Sequence, residues 1–417
     1  MEKIALNLDD WKDQIAKHGT EGLTKLYEHL HNLILEGEMQ EHLAAGPYER
    51  SKDRRGYRNG YRKRGLTTRL GRLQLRVPQS RDGAFSTVLF ERYQRSEKAL
   101  LASMMEMVLQ GVSTRKVEKV VKELCGKTFS KSTISRLWKQ LDPMVEAFRT
   151  RSLEGTAYPF VVVDAMVVKV RQDGAVLPMS VLIAVGISAA GVREILGFAV
   201  GDSESQHSWS TLFNQLKDRG LKGVTLIVSD AHRGLRAAID QCFQGVRWQR
   251  CQVHLSRNVL GRCPVKLRGS MGSAMWRLYR SSDKQEAREV FKDIATRYGK
   301  KAHKSVDLLE KGLDASTEVL ALPPKYQRRL RTTNMVERLI EEVRRRERVV
   351  RIFPNEASAV RMVGAILIEF NEQWTTGNRY FTMDDFVQWS SARASPVALR
   401  APCEALAVPQ IYSTSGT

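Results

Sequence analysis

Residues 160–170 read FVVVDAMVVKV, a β-branched and apolar run with one acid, Asp164, at its centre. Such a run reads as a strand. A carboxylate facing a core from inside it is costly unless a cation answers it. Lys169 and Arg171 are the nearby cations in sequence, and a metal ion is the other answer. Downstream, Pro178 to Ser188 and Glu194 to Val200 are two more apolar runs. A helix is expected from Ser208 to Leu216, then a strand, Val224 to Val228, that ends at Ser229-Asp230. A helix from about Leu235 to Phe243 and a short strand, Val246 to Gln249, complete the set. Three strands joined tightly, followed by alternating helix and strand, describe a mixed α/β sheet rather than an all-parallel one.

Beyond this region the pattern turns helical from about 256 to 330, with Met275, Leu278, Tyr279, Val290, Phe291, Ile294 and Tyr298 as an apolar stripe. Pro323-Pro324 marks a break, and two further helices are expected near 335–350 and 357–374. The Pro-, Ala- and Ser-rich tail after Pro396 is expected to be disordered. Toward the N-terminus, residues 97–141 carry three helical patterns. Ser113 is a candidate N-cap of the second, whose Val117, Val120, Val121 and Leu124 share a face. A turn through Gly126 leads to the third, which Ser130 or Ser132 would cap. The order suggests a helix-turn-helix with a turn longer than usual, and any small helical bundle reads similarly. An amphipathic helix over about 22–43 is expected to begin the protein. Between it and the bundle, Leu73 to Val77 alternates as a short strand that Pro78 should stop.

Charge says what the chain meets. Lys and Arg number 67 against 46 acids, a net +21. A surplus of that size favours a polyanion, because each phosphate neutralised releases counterions. It is concentrated over Arg50 to Arg81, with twelve basic residues and one acid, Asp53, interleaved with Tyr57, Tyr61 and glycines. A basic run is often only a solvated face, but this interleaving suits a grip on DNA backbone through Arg54, Arg55, Arg58, Arg62, Lys63 and Arg64. Arg115, Lys131 and Arg136 of the helical trio are further candidates. The run from Val181 to Val200 is interrupted by Arg193 and Glu194, so no membrane span is expected. The start, MEKIALNLDDWKDQ, lacks the pattern of a signal peptide, and five scattered cysteines do not form a disulfide framework. A reducing cytosol is the expected location.

Three acids are the candidates for the chemistry. Asp164 lies inside a strand, Asp230 ends another, and Glu337 lies near the start of a helix. Asp230 has an ordinary reading as an N-cap, and Asn334 with Glu337 has the spacing of a capping box. Together they can do more. Hard cations such as Mg²⁺ or Mn²⁺ prefer oxygen ligands, and two such ions can serve in-line displacement at phosphorus. Carboxylates from separate elements, 66 and 107 residues apart in sequence, would suffice to hold them. No phosphate-binding loop for ATP and no Ser-His-Asp arrangement is evident.

The chain resembles the bacterial IS256 family of insertion-sequence transposases, related to the plant Mutator group, from about Tyr48 to Asp385. The motifs that carry the resemblance are RNGYRKR (58–64), VVVDAMVVKVR (161–171), IVSDAHRGL (227–235), WQRCQVHLSRN (248–258) and NMVERLIEEVRRR (334–346). It implies an RNase H-like core around a DDE triad, with a helical insertion between the second Asp and the Glu. Matched by motif, the triad falls on Asp164, Asp230 and Glu337 as catalytic and metal-binding residues. Met335 stands where the family commonly has Pro, and Ile340 where it commonly has Asn; neither is a carboxylate.

Glu341 and Glu342 rival Glu337, since Glu341 is one turn on and shares its face; the motif, not the periodicity, favours Glu337. Arg338, Arg344, Arg345 and Arg346 are expected on phosphates, although a basic helix end balancing the dipole reads the same way for the last three. Cys251 and His254 match the family's Cys-x2-His signature. Zinc would need further ligands at a usual spacing, so packing or DNA contact near the site is preferred, with Cys263 the one nearby extra thiol. His232 could approach the scissile phosphate or simply start a helix.

The organisation expected is an N-terminal helix and basic segment (1–95) and a helix-turn-helix-like domain (96–150). An RNase H-like core (151–255) follows, then a helical insertion (256–330), the core's C-terminal helices (331–376) and a largely disordered extension (377–417). The function expected is recognition of terminal inverted repeats, cleavage to a 3′-OH and its transfer to target DNA, by at least a dimer. The family is thought to use a circular copy of the element. The rivals are a repressor descended from such an enzyme, for which charge and helix-turn-helix would serve equally, and a nuclease that cuts without joining.

Overall fold

The computed structural model describes residues 8–89, 97–125, 129 and 131–393. Among the described residues a helix, α1 (Leu8–His18), comes ahead of α2 (Thr20–Leu43), so the amphipathic helix read from the sequence is preceded by another. The basic segment forms an antiparallel hairpin, β1 (Arg58–Thr68) and β2 (Gly71–Ser80). Leu73, Leu75 and Val77 alternate inward and pack with Leu35 of α2 and Leu66. On the side of β2 away from β1, the Gln74 and Arg76 amides donate to Glu28 and Asn32 of α2 at 2.7 and 2.8 Å. Pro78 has the same parity, so its missing N–H would also point away from the ladder and the strand continues to Ser80. The expectation that Pro78 ends the strand fails for that reason.

The three expected helices are present: α3 (Lys98–Leu109), α4 (Thr114–Cys125) and α5 (Lys131–Lys139). The Lys116 amide donates to Ser113, the cap read from sequence. Val117 and Val121 are buried, while Val120 faces solvent. Gly126 and Ser130, assigned to the turn, lie outside the described residues, as does the Leu124 side chain; Ser132 sits inside α5 rather than before it. The apolar side of the trio, with Met104, Ile134 and Leu137, is continuous with the core of the central sheet, which α6 (Asp142–Thr150) joins to it.

That sheet has the order β5-β4-β3-β6-β7, built from β3 (Phe160–Gln172), β4 (Ala175–Ile187), β5 (Arg193–Gly201), β6 (Leu226–Ser229) and β7 (Arg247–Arg250). The first three strands form an antiparallel meander, and β6 and β7 add in parallel, so the sheet is mixed as read from sequence. Asp173 and Gly174, both at positive φ, make the tight β3–β4 turn. The two faces are covered by different helices. α7 (Gln206–Asp218) and α8 (Arg233–Cys242) bury Trp209, Phe213, Leu235 and Ile239 against Val161, Val163, Leu182 and Ile227. The opposite parity of β3, with Phe160 and Val162, packs under α14 (Asn334–Val350) and α15 (Glu356–Thr376) through Val336, Leu339, Val363 and Ile366.

Between β7 and α14 the chain forms α9 (Gln252–Arg262), α10 (Arg268–Leu278), α11 (Lys284–Tyr298) and α12 (His303–Ser316) around a core of their own, including Leu255, Met275, Ile294 and Leu309. Pro324 opens a short helix, α13 (Pro324–Leu330). Of the C-terminal extension only the first part is described, and the tail after Pro396, expected to be disordered, lies outside the described residues. Residues 377–393 are packed and end in α16 (Asp384–Arg393). Phe381 and Phe386 close on Phe160 and Tyr326, and the Tyr380 and Phe381 amides donate to Gly191. Phe381, Met383 and Phe386 are buried there, and that burial offsets the cost of ordering the segment. Residues 394–417 lie outside the described residues. Among the described residues no helix is long and apolar enough to cross a membrane.

Candidate active site

Strand β6 pairs with only the first residues of β3, Phe160 to Val162, and ends at Ser229. Asp164 therefore stands just past the last β3–β6 pair, and Asp230 is the first residue beyond β6. Both emerge at the carboxyl end of a parallel strand pair, where open α/β sheets place their ligands. Helix α14 brings Glu337 in its first turn. Its start is tied to the sheet through Cys251, whose amide donates to Ser229 O at 2.7 Å and whose sulfur accepts from the Thr333 amide at 3.4 Å. Thr333 Oγ1 in turn donates to Glu337 Oε1 at 3.3 Å. One buried thiol thus connects the end of β6 to the helix that carries the third acid.

The charges register this convergence. Burial pushes the Asp164 carboxyl up to about 6; Asp230 and Glu337 add to the rise, while the Ala165 amide at 2.9 Å and His254 oppose it. The cation that Asp164 feels is His254, not Lys169, which faces solvent on the other parity of β3. His254 Nε2 lies 3.4 Å from Glu337 Oε1. The Cys251 sulfur, and then the Asp164 and Glu337 carboxylates, push His254 up to about 9 against the effect of burial. Burial alone would raise the Cys251 thiol, but hydrogen bonds with His254 and Thr333 outweigh it and hold the thiol below its ordinary range.

The ordinary readings are partly realised. Asp230 Oδ1 accepts from the His232 amide at 3.0 Å, so it does support the start of α8. Glu337 makes no capping box with Asn334, which is itself the first residue of α14. Among the three glutamates, Glu337 is the one that meets His254 and influences Asp164; Glu341 and Glu342 line a cavity farther along the helix. His232 turns its ring to Glu204, Nδ1 to Oε1 3.4 Å. Glu204, whose carboxyl burial raises and Asp230 raises further, is a fourth acid that sequence reading missed. Nothing in SESQHSW marks it, since its place depends on the loop before α7. Cys251 and His254 do meet a third donor, Glu337, with ligand atoms within 4.8 Å of one another. Cys263 is buried in the core of the inserted helices and takes no part.

The basic candidates divide by exposure. Arg55, Arg62 and Lys63 of the hairpin segment, and Arg115, Arg136, Arg338 and Arg344, face solvent. Arg345 is exposed but paired with Glu342 at 3.0 Å. Arg54 is turned back onto Gly56 O and Glu49 O, and Arg64 is half-buried. The Lys131 side chain lies outside the described residues. Arg58 is spent on Glu36 at 2.7 Å. Arg346 is 3% exposed and pairs with Glu369 at 3.2 Å, so it braces α14 against α15 and is closed to phosphate. The periodicity of α14 turns Arg346 inward with Leu339 and Val343, which a run of three arginines conceals.

A mixed five-stranded sheet with carboxylates converging at its parallel end is consistent with an RNase H-like core, the scaffold of DDE-type polynucleotidyl transferases. Comparison gives the family. The profile of the Mutator family of transposases matches residues 2–377. The chain is 43% identical over 372 residues, 89% of its length and 93% of the relative's, to the transposase of insertion sequence element IS256 in transposon Tn4001 from Staphylococcus aureus. It is 45% identical over 368 residues, 88% and 92% of the two chains, to that of element ISRM5 from Rhizobium meliloti. To that of IS1081 from Mycobacterium tuberculosis it is 36% identical over 384 residues, 92% of each. The chain belongs to the Mutator family and is a transposase of the IS256 kind, a DDE-type polynucleotidyl transferase. Membership implies a divalent metal ion and DNA as partner. The donors fit such an ion in kind: the Asp164 carboxyl feels the Asp230 and Glu337 carboxylates, with His254 acting on Asp164 and Arg250 feeling Asp230, while among the described residues the set of three donors within 4.8 Å of one another is Cys251, His254 and Glu337.

Proposed function

We propose that Asp164, Asp230 and Glu337 are the catalytic acids and hold two Mg²⁺ or Mn²⁺ ions for cleavage at the ends of an insertion element and for joining to target DNA. The observation that carries this reading is that Asp230, just past β6, and Glu337, in the first turn of α14, both act on the Asp164 carboxyl of β3. Bound there, the ions would neutralise charge building on phosphorus and activate the attacking oxygen. Cys251, Thr333 and His254 keep Glu337 aimed at the two aspartates, so that little rearrangement is needed at the moment of reaction. In cleavage, a water oxygen bonds to phosphorus as the P–O3′ bond breaks, and the departing oxygen leaves as a 3′-OH. In joining, that hydroxyl loses its proton, attacks a target phosphodiester and expels the next 3′ oxygen. No bond between protein and DNA forms.

The exposed residues of the hairpin and the helical trio would hold terminal inverted repeats, and joining two ends in register calls for at least a dimer. The test is strand transfer on end-containing DNA with Mg²⁺ or Mn²⁺ for Asp164→Ala, Asp230→Ala and Glu337→Ala. Each is expected to lose chemistry and keep DNA binding. Parallel loss of binding would make the acids structural, and cleavage without joining would make the protein a nuclease.

A further inference from the structure

A cavity of about 1200 Å³ opens on the far side of the same two helix starts. Its walls come from α9, α10, the α13–α14 connection and α14, and from aromatic residues at the end of α15 and beyond. Gln252 and Val253 line it while His254 faces the acids; Arg338 lines it while Glu337 faces them. The cavity and the candidate active site therefore share a wall one residue thick in sequence.

Six arginines line this space against two glutamates. Among the described residues no ion pair engages Arg193, Arg257, Arg328, Arg331 or Arg338 with an acid. Burial lowers the Arg331 pKa, and neighbouring Arg280 and Arg328 lower it further; Arg193 is lowered by burial and by Arg329 and Arg338. Cations crowded in a recess and outnumbering its acids raise the local potential and are relieved by an anion that enters. Rings stand among them. Arg193 lies 4.7 Å from the Trp374 and Tyr380 ring centres, and Arg280 lies 4.0 Å over Trp276. Trp276 is 58% exposed on α10, a large apolar surface that packing inside the protein does not use.

Arginines with accessible aromatic faces suit one nucleic-acid form in particular. A duplex keeps its bases stacked inside and presents a convex backbone that cannot enter a recess of this size. An unpaired strand offers phosphates to the arginines and base faces to the rings. We propose that this cavity receives unpaired nucleotides of a DNA strand beside the cleavage point, with phosphates on Arg257, Arg328 and Arg331 and a base on Trp276. The position of the cavity gives it meaning through the active-site assignment above, but binding there does not require that assignment to hold.

The test uses the full chain and fluorescence anisotropy with two probes of one sequence, a blunt duplex and the same duplex carrying a four-nucleotide single-stranded flap. Trp276→Ala with Arg257→Ala should weaken flap binding about tenfold or more, the scale of one lost base stack, with duplex binding unchanged. Trp276→Phe should restore most of the loss, and Arg328→Glu, on a separate helix, should reproduce it if the double variant folds poorly. Equal loss on both probes would make the cavity a duplex contact, and no loss on either would leave it without a DNA role; both overturn the proposal. Asp164→Ala should leave the flap preference intact, so failure of the catalytic reading would show separately, as retained strand transfer.

Discussion

Replacing Asp164 by Asn should make the metal-free protein more stable while abolishing chemistry. The carboxyl sits at about 6 in the folded chain instead of its ordinary 3.8, chiefly through burial. At about 1.36 kcal/mol per tenfold, that difference corresponds to about 3 kcal/mol. Water reaching the partly open carboxylate reduces it, leaving a gain of about 1–3 kcal/mol for the neutral amide. The amide keeps the same carbonyl oxygen for the Ala165 amide, so the one hydrogen bond at this position survives. The sign follows from proton binding. Below pH 4 the carboxyl is protonated whether folded or unfolded, and the wild type carries no penalty. Between pH 4 and 6 the folded chain keeps a proton that the unfolded chain releases, so wild-type stability falls with rising pH; above 6 the penalty is complete. Denaturant unfolding in EDTA at pH 4 and pH 8 should therefore show the variant gaining only at pH 8. Added Mg²⁺ should narrow the difference by stabilising the wild type alone. An Asn variant less stable at pH 8, or one with equal gain at both pH values, would refute the reasoning that burial holds the Asp164 carboxylate at a cost in the folded chain.

Arg346→Ala should destabilise the fold by about 2–3 kcal/mol, because it leaves Glu369 partly buried and unpaired, with no change in the salt dependence of DNA binding. Gly191→Ala should cost about 3 kcal/mol or more in unfolding experiments. Its φ is +78° and a Cβ would lie 1.9 Å from the Phe381 carbonyl oxygen, so proteolysis should reach residues 377–393 first. Arg62→Ala with Lys63→Ala should lower the slope of log affinity against log salt by about one for each phosphate no longer neutralised, measured on end-containing duplex. An unchanged slope would remove the hairpin from the DNA interface.

The sheet was legible because strands β3 and β4 are apolar over lengths that only a covered strand tolerates, and because Asp230 closes an apolar run just before a helix. Asp164, Asp230 and Glu337 could be singled out from residue type, position and resemblance. Exposure of long side chains could not. Arg58 and Arg346 sit in basic runs like their neighbours, and their pairing with Glu36 and Glu369 comes from helices distant in sequence. Pro78 depended on which way its missing donor would point, a matter of pairing register with β1 and the cover provided by α2.

Local patterning by itself determined most of the elements and the mixed character of the sheet and marked Asp164 and Asp230, since periodicity and residue chemistry act over a few neighbouring positions; the preference for Glu337 over Glu341 and Glu342 came from the resemblance. Tertiary structure alone decided that Cys251 ties β6 to α14, that Glu204 stands beside Asp230, and that arginines from four separate segments surround one cavity. These are long-range juxtapositions, set by how helices pack across a sheet, and no short stretch of chain encodes them.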